Sequence, residues 1–245
     1  MVNYSDLLSQ LAQALPDTPR YVETRGMLLA NACEVLGLDQ TSGLNFVVRS
    51  FQTGLISVVG KPSADSIKRA TLQNRNQNAV LAFDDNLEFV ADALSNRNVE
   101  RAILHMRNES IRLRDVSLNM VRYLTTDEIA ALTSLSDELK AELLNASRNT
   151  PVAATIVDDR PVSFCYAGAE TETLWDVSID TLAGFRGRGY GVMCVAYLIR
   201  EMKKRGKQPV WGALESNSAS LKLAKKLFFE PVDSLFVFEQ TRKKS

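Results

Sequence analysis

Histidine is almost absent: the chain of 245 residues has one, His105. That excludes a histidine-built metal centre. With no second histidine and no Cys/Asp cluster beside it, His105 reads as a structural residue closing an expected strand, Arg101–His105. Cysteine is scarce as well. Cys33, Cys165 and Cys194 are odd in number, far apart and each set in an apolar segment, which fits reduced core thiols and excludes a disulfide framework or a metal motif. No run approaches the roughly 18 apolar residues of a membrane span. Met1 to Gln13 carries Asp6 and no basic residue, unlike a signal peptide. The expectation is a cytoplasmic protein without metal or membrane partner.

Net charge is missing too, with 29 Lys+Arg against 29 Asp+Glu, but the balance is uneven along the chain. From Leu182 onward there are 13 basic and 5 acidic residues, which leaves 16 and 24 for the rest, so the two parts carry +8 and −8. A basic carboxy-terminal part suits a polyphosphate, and an acidic remainder suits a cationic substrate such as an amine. Nucleic acid is not an expected partner: no RNA-binding or helix-turn-helix signature is present, and Thr241–Ser245 reads as a solvated tail.

The 45% hydrophobic content supports a sizeable core, and the length suits two domains, placed at 1–112 and 113–245, with the boundary in the charged stretch around 108–117. Residues 1–40 read as helical, with Leu7, Leu8, Leu11 and Leu15 on one face and a second helical run over Met27–Leu36. From Asn45 the order is strand, strand, helix (about Ser63–Asn74), strand, helix, strand: an α/β unit. Residues 118–245 read strand, helix, helix, three antiparallel strands, helix, strand, helix, strand. Thr125 and Glu128 form an expected capping box, Ser136 caps the next helix, and Asp158–Pro161 has the length of a hairpin connection.

The chain is organised around Thr181–Gly191, T-L-A-G-F-R-G-R-G-Y-G, which follows a strand (Thr173–Thr181) and opens a helix. Gly187, Gly189 and Gly191 leave a bare backbone whose N–H groups can converge, the helix adds unpaired N–H groups and its positive end, and Arg186 and Arg188 add charge: a site for phosphate or pyrophosphate. It is not a dinucleotide fingerprint, because Val192 stands where the third glycine belongs, nor a P-loop, because Gly189 precedes Tyr190.

The loop resembles the Arg/Gln-x-x-Gly-x-Gly/Ala signature of the GNAT acyltransferases, with Arg186, Gly189 and Gly191 in the defined places, and the element order of 118–245 matches that fold. Pro209–Phe229 is similar to the P-x-W…N-x-x-S-x-x-L-A-x-K-L-G-F segment of a GNAT subfamily with a long amino-terminal extension, which includes enzymes acetylating aminopolyol antibiotics; Gly60–Ser63 resembles that extension loosely. The resemblance implies an α/β (α+β) fold, with a carboxy-terminal GNAT domain around a mixed, splayed sheet. The preceding α/β domain, whose order from Asn45 parallels 162–240, reads as a degenerate GNAT-like repeat; its V-V-G-K-P-S loop lacks the glycine repeat, so a second coenzyme A (CoA) site is not expected.

By the same resemblance, acetyl-CoA is the cosubstrate and no metal is required. Thr181 and Leu182 would pair with the pantetheine amides. The N–H groups of Gly187, Arg188, Gly189, Tyr190, Gly191 and Val192, with Arg186, would hold the pyrophosphate. Asn217 and Ser220 would contact the CoA arm. The pattern departs at Ala224, where many members carry the tyrosine that protonates the leaving thiolate, and at Phe228, where glycine is usual. Asp176 is the first candidate for a catalytic base and Glu215 the second. The implied function is N-acyl transfer from acetyl-CoA to a small-molecule primary amine in a ternary complex; the alternative is a non-catalytic acyl-CoA-binding or regulatory module. A homodimer is compatible with either.

Overall fold

The computed structural model describes residues 3–72, 79–111 and 116–240. They fall into two compact units, one within Met1–Leu104, Ala213–Asn217 and Val232–Ser245, the other within His105–Gly212 and Ser218–Pro231. The expected cut at 112/113 lies outside the described residues, as do the end of the helix expected at Ser63–Asn74 and the tail Thr241–Ser245. Among the described residues no helix is long and apolar enough to cross a membrane, and no group of His, Cys, Asp and Glu gathers as a metal would require.

The first unit begins with α1 (Tyr4–Ala14) and α2 (Val22–Leu29). In α1 the helical spacing of Leu8, Leu11 and Ala12 turns one face inward, and Asn3 caps the start by accepting from Ser5 N–H. The helix expected over Met27–Leu36 is not one element: α2 ends at Leu29, Asn31 turns the chain at φ 52°, and Cys33–Asp39 forms strand β1. A short apolar run fits either period, and antiparallel pairing of Cys33–Leu36 with Val47–Ser50 decides for the strand.

Then follow β2 (Asn45–Ser50), β3 (Ile56–Val59), α3 (Ala64–Leu72), β4 (Val80–Ala82), α4 (Leu87–Ala93) and β5 (Arg97–Arg107). Strand β2 is buried along its whole length because both faces are covered: Phe46 and Val48 pack in the cluster of α1 and α2, Val47 in that of α3 and α4. β2 and β3 pair antiparallel, β3 and β4 parallel.

The second unit holds β6 (Val121–Leu124), α5 (Thr126–Ala131), α6 (Asp137–Ala146), β7 (Val152–Val157), β8 (Arg160–Glu170), β9 (Leu174–Thr181), α7 (Tyr190–Lys204), β10 (Gln208–Leu214, from Ala213 in the first unit) and α8 (Ser218–Lys226). Its strands run in the order β10-β9-β8-β7-β6. The capping box of Thr125 and Glu128 is present, as is the Ser136 cap. The β7–β8 turn is only Asp158-Asp159, both at positive φ (47° and 59°), with Arg160 and Pro161 already paired to Val157 and Ile156. One face of the sheet is covered by α5 and α6 through Ile129, Leu143, Phe164 and Tyr166. The other is covered by α7, where the Cys194 thiol approaches Ala153 O at 3.3 Å. All three cysteines are free and buried.

The last strand, β11 (Phe229–Gln240), is longer than the expected Leu235–Glu239, and from Val232 onward it belongs to the first unit, pairing antiparallel with β4.

Candidate active site

The loop after β9 is fixed by its own residues. Leu182 N–H donates to Val162 O at 2.9 Å, extending the β8 pairing by one step, and Ala183–Phe185 makes a single 3₁₀ turn. Arg186 Nε then reaches back to Thr181 O at 2.9 Å. Gly187 and Gly189 adopt left-handed φ values of 77° and 87°, which side chains resist, and α7 starts at Tyr190. No side chain caps this helix. The donors of its first turn, among them Gly189, Tyr190, Gly191 and Val192 N–H, therefore form an electropositive end. Arg186 and Arg188 are exposed, with Arg188 lying over the Phe185 ring at 5.8 Å. Gly191 is buried, and a Cβ there would stand 3.2 Å from Thr181 Oγ1 and 3.4 Å from Leu223 of α8, so the glycine lets α7 seat against β9.

β9 parts from its neighbour on one side. Its parallel register with β10 covers Leu174, Trp175 and Asp176 only, among the described residues. Gln208 N–H donates to Thr173 O on the β10 side and Leu182 N–H to β8, so strand alternation turns the amides of Ile179 and Thr181 toward the side β10 has left. Of the two residues expected to pair with an incoming amide chain, Thr181 has that orientation, whereas Leu182 N–H is engaged by Val162.

The side chains of Asp176, Ser178 and Asp180 share the face under α6. Ser178 lies directly across from Tyr166 of β8, and Asp180 across from Phe164. The Tyr166 hydroxyl donates to the Glu142 carboxylate on α6. Burial, then Glu142, pushes the Tyr166 phenol well up. Burial and Glu142 also raise the Asp180 carboxyl, against the lowering effect of Arg186. Gly168 makes room here: a Cβ would meet Ser178 Oγ at 2.8 Å and Asp176 Oδ2 at 3.0 Å. Sequence reading found the alternation of Asp176, Ser178 and Asp180 but missed Tyr166, which stands in an apolar run, and Glu142, which stands on an ordinary polar helix face.

The remaining expected residues divide. Ser220, on α8, accepts from Trp211 Nε1 at 2.9 Å. Asn217 and Glu215 fall in the first unit, where Asn217 N–H donates to Leu214 O at 2.9 Å and the Glu215 carboxylate lies 3.8 Å from Arg101 Nη1. Ala224 is buried at 1% exposure, so its small side chain is part of the packing. His105 is buried, with Nδ1 3.2 Å from Trp211 O. In the first unit, the loop at Gly60 is closed on itself: Lys61 N–H donates to Asn45 Oδ1 at 2.7 Å, and Ser66 N–H to Ser63 at 3.2 Å.

Residues 152–238 match the family model of the GNAT acetyltransferases. No protein of curated function matches the chain. Among solved structures, a GCN5-related N-acetyltransferase-like protein from Streptococcus suis superposes with a TM-score of 0.72 at 16% identity, covering 98% of this chain and 100% of its own. A GNAT-family acetyltransferase from Colwellia psychrerythraea gives 0.58 at 13% identity, with 98% of each chain covered. A tandem GNAT protein of the clavulanic acid biosynthesis pathway gives 0.57 at 13% identity over 98% of this chain and 95% of its own. At such identities the likeness establishes the fold: a mixed α/β architecture with a GNAT fold in its carboxy-terminal part and a GNAT-like part before it.

Proposed function

We propose that the chain transfers an acetyl or other short acyl group from acetyl-CoA to the primary amine of a small molecule. The observation that carries this reading is the joining of an uncapped helix start, flanked by two guanidinium groups, to a strand whose last amides face away from their ladder. Such a surface fits a ligand with a pyrophosphate at one end and amides along its length. The backbone N–H groups of Gly187 to Val192, with Arg186 and Arg188, take the pyrophosphate. The Thr181 N–H and the Ile179 carbonyl take the amides, in place of the Thr181–Leu182 pair expected from sequence. Asn217 and Ser220 are assigned to the arm by the resemblance.

The CoA thioester supplies an activated acyl group; the chain supplies the carboxylates that free the attacking amine. These lie on the β9 face that carries Asp176, Ser178 and Asp180. Glu215 is the weaker candidate because it lies on the first unit, 3.8 Å from Arg101. The aminopolyol-like segment Pro209–Phe229 makes aminopolyols one class worth presenting as acceptors. Thiol release from acetyl-CoA over a panel of primary amines, diamines and aminopolyols tests the function. Release that depends on the amine supports it. A thermal shift with acetyl-CoA but no release with any amine points instead to an acyl-CoA-binding module, and neither shift nor release overturns the reading.

A further inference from the structure

We propose that Asp180, rather than Asp176, is the base that takes the proton from the acceptor amine, and that Glu142, anchored by Tyr166, is the second carboxylate that steers the protonated amine to it. This rests on the acyl-transfer reading above.

Val177 N–H still lies beside Val210, whereas Ile179 is the first residue past the fork whose N–H faces the parted side, and it is the donor best placed to polarise a carbonyl there. Asp180 is its immediate neighbour. Asp176 is three residues away, roughly 10 Å along a strand, at the point where β9 and β10 are still paired. An amine reaching that carbonyl from the α6 face thus passes Glu142, Tyr166 and Ser178 and arrives at Asp180. The charged groups that act on Asp180 are Glu142 from α6 and Arg186 from the loop; Phe164 faces it from β8, with Tyr166 one pair further along opposite Ser178, and Asp176 shares its strand. Burial and Glu142 favour the protonated form of Asp180 and so make it a better proton acceptor than an ordinary carboxylate.

The step balances. The ammonium gives its first proton to Asp180, and the freed lone pair closes the C–N bond as the C–S bond opens. The second proton leaves the nitrogen to neutralise the departing thiolate, and Asp180 releases the first to water, so one proton is liberated per turnover.

Two measurements test this. With the best acceptor from the amine panel, kcat/KM is followed against pH for wild type and for Asp180→Asn, Asp176→Asn, Glu142→Gln and Tyr166→Phe. Asp180→Asn is expected to lose about 10²–10⁴-fold and its acid limb, the range for a general base. Asp176→Asn should stay within a few-fold. Glu142→Gln should move the acid limb to lower pH, because it removes the negative charge acting on Asp180, and Tyr166→Phe should move it the same way by a smaller amount, because it releases the Glu142 carboxylate from its anchor. Independently of turnover, carbon-13 NMR of labelled aspartate in the ligand-free protein should show one carboxyl titrating above the usual range. That signal should vanish in Asp180→Asn and move down in Glu142→Gln. An unchanged profile in Asp180→Asn, or a raised signal that survives it, overturns the proposal. Glu142 is exposed, so Glu142→Gln decides by its profile and its carboxyl titration if Asp180→Asn does not fold. Failure of wild type to release thiol or bind acetyl-CoA would count against the functional reading itself.

Discussion

Single residues differ in how much of their role they show in the sequence. Gly189 shows its role plainly, since a glycine between a strand and a helix marks a backbone that must turn left-handed, and it does so at φ 87°. Nothing lies within 4 Å of where its Cβ would be, so a side chain there meets backbone strain and not crowding. Gly189→Val should cost roughly 1–2 kcal/mol of stability, the penalty for a left-handed L-residue. It should also abolish the rise in melting temperature that millimolar acetyl-CoA gives wild type. Scanning fluorimetry with and without acetyl-CoA checks both, and a variant that is stabilised as much as the parent would remove the loop from cofactor binding. Tyr166 and Glu142 left no such mark. Their meaning depends on a hydrogen bond between residues 24 apart in sequence, and neither residue type is unusual in its own segment. Leu182 shows the reverse: its place in the motif gives no sign that the β8 ladder takes its N–H.

At the scale of elements, those with a local chemical signature were legible and those defined by pairing were not. The start of α5 is of the first kind, because Thr125 and Glu128 satisfy each other's backbone donors within four residues. Thr125→Ala should therefore destabilise the protein by about 1 kcal/mol in denaturant melts. The same box gives a pH signature. Hydrogen bonding from Arg122, then from the Thr125 N–H, lowers the Glu128 carboxyl from 4.5 to about 2. A carboxylate depressed in the fold adds stability that is complete above its unfolded value and is lost as pH falls through the folded one. The contribution should thus be intact at pH 6 and disappear between about pH 4.5 and 2. In melts across that window, Glu128→Gln should lose less stability than wild type; equal losses would mean that the Arg122 pair is not maintained in solution. By contrast, Cys33–Leu36 reads as helix because nothing within Met27–Leu36 says that β2 will pair with it. The extra lengths of β5 and β11 were hidden for the same reason.

At the scale of the whole molecule, the repeat was legible as an order of elements: two helices, then antiparallel strands, a helix, a parallel strand, a helix and a final strand occur in both parts of the chain. What the order could not reveal is where the final strand goes. Leu235, Val237 and Phe238 of β11 are buried among Leu81, Phe83, Ala102 and the residues of α3 and α4, all of the first unit. Burying three such side chains is worth roughly 1.5–3 kcal/mol each, which is comparable with the ~5–15 kcal/mol net stability of a typical protein. A fragment of residues 113–245 would leave these side chains without their core, and a fragment of 1–112 would leave β4 without the strand that pairs with it. We therefore expect neither fragment alone to give a cooperative unfolding transition, and co-expression of the two to restore one. Should residues 113–245 melt cooperatively by themselves, with the near-ultraviolet signal of ordered Trp175 and Trp211, β11 must be able to complete the carboxy-terminal part, and the 1–112/113–245 division read from the sequence would describe two independent domains.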